Sequence, residues 1–484
     1  MTGIENQTGT AEAQSIFTSL NFLPNLTSLV FPNLLVHTTE GPVLGKQEWS
    51  PENRFYRSFR GIPFAQPPVG KLRFESPQPV PYWWGVRLAT NFNNPCLTYL
   101  FWITLGEEDC LYINVFTPGS SELANSEGLV PVIFWVHGGS FYSGSELQRT
   151  LYLPGTFIDR GVIFVSFNYR LGPLGFMTTD DAVIPGNYGA KDMVAALYWV
   201  QRNIRKFGGD PNKVTLLGQS SGAVSAHALT LSPLTTGALY NEQMYKTITE
   251  TWDNDCGLLA YWSLRFREVW PSPESLIALC IRTRQLYANG KDRMDADGTG
   301  NDLIQFSSDL SFKFPPYAAA LLHSKYSGNK AYFYTWDHVN QGALNNVEIF
   351  NLIYDLHLQF VFTTAKKFRK FRLQPGRSHS DDLLLLFDPL QLQQLTPEDI
   401  SVKNLAANLF ISFGNTLTPT STDVTWPEFE ETEQRHISFQ NPPVLSQFAV
   451  TPEKQRLIVD WYDNHQKTFP GIENIPTLAE LMGL

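Results

Sequence analysis

The sequence predicts an α/β fold with a central, mostly parallel sheet flanked by helices. Three observations lead there. First, Val132-Ile133-Phe134-Trp135-Val136, Gly161 to Phe167 and Val214-Thr215-Leu216-Leu217 are short, largely apolar runs that read as buried strands. Second, Asp192 to Lys206 repeats apolar residues at Val194, Leu197, Val200 and Ile204, the spacing of one helix face. Third, Ala223 to Leu231 follows the last strand after a five-residue turn and reads as helix. Strands that alternate with helices stack as a parallel sheet covered on both sides.

The chain has 484 residues, of which 43% are hydrophobic and 13% aromatic, enough for one large α/β domain or two or three smaller ones. The formal charge of −10 argues against a nucleic-acid partner, which usually meets a basic face. No run of about 18 apolar residues occurs, so no transmembrane segment is expected. Met1 to Thr10 is polar and has no basic n-region or long apolar h-region, so no clear signal peptide is read. Residues 1–35 are expected to be a poorly defined segment. Asn6-Gln7-Thr8 and Asn25-Leu26-Thr27 are glycosylation sequons, a pattern common by chance. Four cysteines would satisfy two disulfides.

In chain order, Val36 to Gly45 reads as two short strands around a turn. Phe59 to Phe74 is too rich in Pro and Gly for a helix and reads as ordered loop. The strand Val132–Val136 runs into His137-Gly138-Gly139-Ser140-Phe141, where consecutive glycines can turn backbone N–H groups toward a developing oxyanion. His137 is a tempting general base, but its place beside the glycines suits ordering the loop better. The strand Val214–Leu217 runs into Gly218-Gln219-Ser220-Ser221-Gly222 and then helix, the strand–turn–helix setting of a nucleophile elbow. Its glycines are read as positions where the turn leaves no room for a Cβ. G-x-S-x-G alone occurs by chance in roughly one chain in six of this length, so its context carries the argument. Pro452 to His465 reads as a final amphipathic helix.

Several longer stretches identify a resemblance. Phe59-Arg60-Gly61-Ile62-Pro63-Phe64-Ala65-Gln66-Pro67-Pro68-Val69-Gly70-Lys71-Leu72-Arg73-Phe74, Glu108-Asp109-Cys110-Leu111-Tyr112-Ile113-Asn114-Val115, Asn168-Tyr169-Arg170-Leu171-Gly172 and Phe207-Gly208-Gly209-Asp210-Pro211 resemble motifs of the type-B carboxylesterases, the cholinesterase and juvenile-hormone-esterase superfamily. The likeness runs from about Val36 to Phe429. It implies one α/β-hydrolase domain over residues 36–484 and a small hydrophobic ester as substrate. It implies no metal and no organic cofactor, and a secreted or secretory-pathway protein. It also implies a disulfide between Cys96 and Cys110, and ion pairs Arg73 with Glu108 and Arg170 with Asp192 that hold the fold. Cys256 and Cys280 could form a second disulfide, although Trp270-Pro271 stands where the family has the partner of Cys280. By the same carry-over Ser220 is the nucleophile, and the N–H groups of Gly139, Ser140 and Ser221 form the oxyanion hole. The family often has Gly or Ala in place of Ser140 and Ala in place of Ser221. Gln219 replaces the family's usual Glu, as in the G-Q-S-A-G of juvenile hormone esterases.

A serine hydroxyl needs a base to take its proton, and the base needs an acid to orient it. The register of Tyr354 to Phe362 puts Tyr354, and not His357, at the family's histidine position. Gly376 to Phe387 fits the insect-esterase form G-x-x-H-x-D-D-L-x-Y-L-F and makes His379 the base. The family's acid is a Glu in a G-x-x-x-x-E-G-like stretch, and none lies between Ser220 and His379. Cys280-Ile281-Arg282 resembles the family's C-L-R, and Ser308-Asp309-Leu310-Ser311-Phe312 its S-D-x-x-F. A strand and its Glu should lie between them. A polar stretch, Thr283 to Ser307, stands there, so the chain is expected to lack an internal segment between about 283 and 307. That leaves the acid unknown. It also opens a second reading, a non-catalytic adhesion or binding domain like those of neuroligin, glutactin and neurotactin, with a protein partner. A third is a carrier of a hydrophobic ester without turnover. Retained Ser220 and His379 argue against the adhesion reading, and the missing acid argues for it.

Overall fold

The computed structural model describes residues 34–100, 103–119, 128–145, 154–179, 181–232, 248–249, 282, 286–287, 309, 313–326, 330–338, 385–387, 395–448, 450–466 and 477–482. His379, His357, Cys256, Cys280, both sequons and nearly all of 283–307 lie outside them. The chain divides into two compact units: residues 1–249 with 410–418, and residues 250–409 with 419–484.

In chain order the first unit contains β1 (Leu35–His37), β2 (Pro42–Leu44), β3 (Lys46–Trp49), β4 (Phe55–Pro63), β5 (Arg87–Leu88), β6 (Thr98–Leu100), β7 (Ile103–Leu105), β8 (Tyr112–Pro118) and β9 (Val130–Val136). Then come α1 (Gly155–Ile158), β10 (Ile163–Phe167), α2 (Gly172–Phe176), α3 (Tyr188–Asn203), β11 (Gly209–Gly218), α4 (Ser221–Leu231) and β12 (Ile248–Thr249). Among the described residues, seven strands make the main sheet in the order β12-β11-β9-β10-β8-β4-β3. The pairings β12–β11, β11–β9 and β9–β10 are parallel. Those of β10–β8, β8–β4 and β4–β3 are antiparallel. The parallel character thus belongs to the half of the sheet that ends at Ser220 and at the glycine loop.

The apolar runs become strands because both faces of the sheet are covered. Val132, Phe134, Val136, Ile163, Val165 and Phe167 point into one core, against Leu197, Trp199, Val200 and Ile204 of the α3 region. On the other face Phe164 meets Trp135 at 6.4 Å and Phe157 of α1 at 5.7 Å between ring centroids. A strand buried on both faces cannot alternate with polar residues, so it reads as a continuous apolar run. The helix α3 buries Asp192, Met193, Ala196, Leu197, Val200 and Asn203, residues three to four apart on one face.

One sequence expectation fails here. Phe59 to Pro63 is strand, the second half of β4, and only the part from Phe64 is loop, with a 3₁₀ turn at Gly70–Leu72. Gly61 sits at φ +71° in a bulge where the pairing with β8 shifts between Phe59 and Ile62. Its N–H is taken by Asn114 Oδ1 at 2.9 Å. A bulge glycine and a terminal proline hide the strand's period.

Beyond this sheet, β1, β2 and β5 form a small sheet, and β6 and β7 an antiparallel pair. That pair lies inside the loop closed by the Cys96–Cys110 disulfide, whose Cα atoms are 4.9 Å apart. Arg73 donates from Nε and Nη2 to the two carboxylate oxygens of Glu108, each at 2.6 Å.

The second unit contains α5 (Phe314–Tyr326), β13 (Tyr334–Trp336), the first part of α6 (Pro397–Thr416), β14 (Arg435–Phe439), β15 (Val444–Gln447), α7 (Pro452–Gln466) and α8 (Leu478–Met482). Here β13 is parallel to β14 and β14 antiparallel to β15. Phe314, Tyr317, Phe333, Phe429, Leu457 and Ile458 form its core. A capping box opens α6: Asp399 N–H donates to Thr396 Oγ1 at 3.2 Å, and Thr396 N–H to Asp399 Oδ2 at 3.0 Å. No helix among the described residues is long and apolar enough to cross a membrane.

Candidate active site

The central strand β11 delivers Ser220 at the tip of a sharp turn. Ser220 holds φ +56° and ψ −129°, and α4 begins at the next residue. For a residue with a Cβ this backbone is strained by roughly 1–3 kcal/mol. The turn closes on two glycines because nothing larger fits. A Cβ on Gly218 would stand 2.4 Å from Gly222 O, and one on Gly222 would stand 2.1 Å from Val136 O. Gly222 N–H donates to Gln219 O at 2.7 Å and Ala223 N–H to Ser220 O at 2.8 Å. Ser220 is thereby fixed over the N-terminus of an eleven-residue helix, where backbone N–H groups and the helix dipole favour negative charge.

The glycine loop leaves the neighbouring strand β9 and lies against this turn. A Cβ on Gly138 would fall 2.0 Å from Gln219 Oε1 and 2.8 Å from Ser220 Cβ, so the two segments are in contact. Gly139, Ser140 and Phe141 follow with φ of +117°, +55° and +62°. Tyr142 N–H and Ser143 N–H both donate to Gly139 O, at 3.0 and 2.9 Å. Among the described residues, the N–H groups of Gly139, Ser140 and Ser221 have no hydrogen-bond acceptor. Their segments converge on Ser220, since Phe141 N–H reaches Ser221 Oγ at 3.3 Å.

His137 takes no part as a base in this geometry. Its Nδ1 donates to Gly138 O at 2.9 Å, and its ring stacks on Tyr169 at 4.3 Å. Complete burial pulls its pKa down to about 4. It orders the loop as a neutral ring. Behind it, Arg170 binds Asp192 through three hydrogen bonds: its N–H at 3.0 Å, Nε at 2.8 Å and Nη2 at 2.7 Å. Burial pushes the Asp192 carboxyl up, and the bonds from Arg170 push it back. The pair ties the end of β10 to α3.

Of the residues singled out from sequence, Ser220, Gly139, Ser140 and Ser221 come together in the first unit, and His379 lies outside the described residues. A histidine–carboxylate pair that sequence reasoning missed stands in the second unit: His338 Nε2 to Asp399 Oδ1 at 2.7 Å, both buried. The other oxygen of Asp399 is committed to Thr396 in the capping box, so the pair serves the start of α6. The T-x-x-D pattern signals that cap, but nothing in sequence joins it to a histidine 61 residues away. Sequence reasoning also missed Tyr169 beneath the glycine loop. Among the described residues no cluster of His, Cys, Asp or Glu could hold a metal.

The carboxylesterase family matches residues 32–249 and 274–457. Venom carboxylesterase-6 of Apis mellifera is 45% identical over 210 residues, covering 42% of this chain and 36% of that protein. Juvenile hormone esterase of Tribolium castaneum is 43% identical over 210 residues, 42% of this chain and 34% of the relative. The matched stretch thus spans about a third of these curated relatives' length. The crystal structure of juvenile hormone esterase from Manduca sexta, with OTFP covalently attached, aligns with a TM-score of 0.69 at 20% identity. It covers 90% of this chain and 99% of that one. That likeness shows the α/β-hydrolase fold. The family match extends well beyond the stretch that holds Ser220, into the second unit, so the chain belongs to the carboxylesterase family.

Proposed function

We propose that the chain hydrolyses carboxylic esters through an acyl-enzyme, with Ser220 as nucleophile. The observation that carries this is a strained serine on a helix N-terminus, with unengaged N–H groups of Gly139, Ser140 and Ser221 around it. The Ser220 hydroxyl attacks the ester carbonyl carbon and gives its proton to His379. The carbonyl oxygen takes the negative charge and accepts from the three N–H groups. Collapse expels the alcohol, which receives the proton from His379. Water, deprotonated by His379, then attacks the acyl carbon; the bond to Ser220 Oγ breaks, His379 returns the proton to Oγ, and the carboxylic acid leaves. Stabilising the oxyanion usually lowers the barrier more than any other single effect at such a site.

The relatives' names as esterases support ester substrates and do not favour the adhesion reading. The Cys96–Cys110 disulfide supports an oxidising compartment, hence a secretory route. A triad without an orienting acid loses about 10⁴ in rate in the serine-protease case, so turnover reports whether a carboxylate serves His379. The test is hydrolysis of a p-nitrophenyl ester by the purified full chain. The reading expects an initial burst of p-nitrophenol that disappears in Ser220→Ala. Equal hydrolysis by both proteins would overturn it.

A further inference from the structure

The glycine loop carries a cost that its glycines do not explain. Gly139 tolerates a positive φ freely, but Ser140 and Phe141 next to it are also left-handed. Two consecutive non-glycine residues hold that shape only where their surroundings fix it. One fixing bond runs from Gly172 N–H to Phe141 O at 2.6 Å. Another crosses to the nucleophile's own helix: Phe141 N–H donates to Ser221 Oγ at 3.3 Å, a contact 80 residues apart in sequence.

The Ser221 hydroxyl lies close to the buried phenol of Tyr169 and offsets part of the upward push that burial gives that phenol. Tyr169 Oη donates to His137 O at 2.7 Å, and its ring stacks on His137. Tyr169 is itself anchored, because the next residue is Arg170 with its three bonds to Asp192. A hydroxyl can donate to one partner while accepting from another, and alanine can do neither. The Ser221 hydroxyl therefore ties Phe141, at one end of the glycine loop, to the first residue of α4, while Tyr169 holds the other end at His137 O and lies beside Ser221.

We propose that Ser221 and Tyr169 are positioning residues: the Ser221 hydroxyl, backed by Tyr169, holds residues 139–141 in the shape that aims their N–H groups at the carbonyl oxygen of a Ser220-bound ester. This rests on the hydrolase reading above. It separates two roles of Ser221. Its backbone N–H faces the oxyanion, while its side chain sets the other donors.

The test compares the full chain with Ser221→Ala and Ser221→Thr by two readouts. Hydrogen exchange read by mass spectrometry follows the Phe141 amide and needs no catalysis. Reaction with a fluorophosphonate, resolved into reversible affinity and maximal acylation rate, follows the oxyanion hole. Losing one hydrogen bond that counts mainly in the transition state corresponds to about tenfold. Ser221→Ala should exchange at Phe141 about tenfold faster and acylate about tenfold more slowly, with reversible affinity unchanged. Ser221→Thr, which keeps a hydroxyl, should restore both. Unchanged exchange in Ser221→Ala overturns the proposal, whatever the acylation rate. Faster exchange with undiminished acylation overturns it too, because the tether would then not serve the oxyanion. A parent chain that does not acylate at all defeats the hydrolase reading, and with it the positioning role; the exchange data would then show only whether the tether itself exists.

Discussion

Ser220 and Gly138 show how far single residues set this site. The strained turn at Ser220 survives because the atoms around it leave no alternative, and Gly138 is one of its walls. In Gly138→Ala the new methyl would meet Gln219 Oε1, Gln219 O and Ser220 Cβ at 2.0, 2.6 and 2.8 Å. Overpacking of this kind costs about 1–3 kcal/mol. Much of it would fall on the Ser220 turn, so fluorophosphonate labelling of Gly138→Ala should drop by about tenfold or more while far-UV circular dichroism stays the same. His137 gives a second residue-scale prediction. It stays neutral in the folded chain down to about pH 4, whereas an unfolded histidine gains its proton near pH 6.5. Between those values the unfolded chain binds the extra proton, so its contribution to stability falls as pH falls, by at most about 3 kcal/mol. Denaturant midpoints at about pH 7 and about pH 4.5 should therefore differ less in His137→Asn than in the parent. An equal pH dependence in both would contradict the burial argument. The two motif glycines were legible in sequence because the turn leaves no room for a Cβ, whereas the meeting of 137–141 with 218–222 was legible only through the family resemblance. Ser140 and Phe141 were not, since nothing about a serine or phenylalanine announces a left-handed backbone.

Elements carry the next layer. The strands β9, β10 and β11 and the helices α3 and α4 were readable because burial on both sides makes a strand wholly apolar and a helix periodic. The strand β4 was not, because Gly61 and Pro63 interrupt its period where the chain bulges. The ties between elements were legible only through resemblance, as with Cys96–Cys110 and Arg170–Asp192, or not at all, as with Tyr169 under His137. Those ties have measurable weight. A disulfide closing a loop with a sequence separation of 14 stabilises by about 3 kcal/mol in the chain-entropy account, so Cys96→Ser with Cys110→Ser should lower the unfolding free energy by about that much. Breaking the buried pair with Asp192→Ala should cost about 3–5 kcal/mol, because it leaves the buried Arg170 guanidinium without its carboxylate. Arg73→Ala, at a half-exposed pair screened by solvent, should cost far less. Equal losses for these two would contradict the ranking by burial. In the second unit, Thr396→Ala should cost about 1 kcal/mol by opening the capping box of α6.

At the scale of the whole molecule, the chain joins a sheet unit that holds the elbow and the glycine loop to a second unit with its own core. Composition allowed one large domain or two or three smaller ones but did not place the division. The family membership spans both units, and the motifs that reveal it lie mostly in the first. The central proposal is that Ser220, beside the oxyanion donors of its own unit, is a reactive nucleophile. The most direct measurement treats the purified full chain with a fluorophosphonate and reads the adduct by intact mass and peptide mapping, with Ser220→Ala alongside. The account predicts one phosphonyl group per chain, on Ser220, and none in Ser220→Ala. No adduct on folded protein, or one that persists in Ser220→Ala, would contradict it.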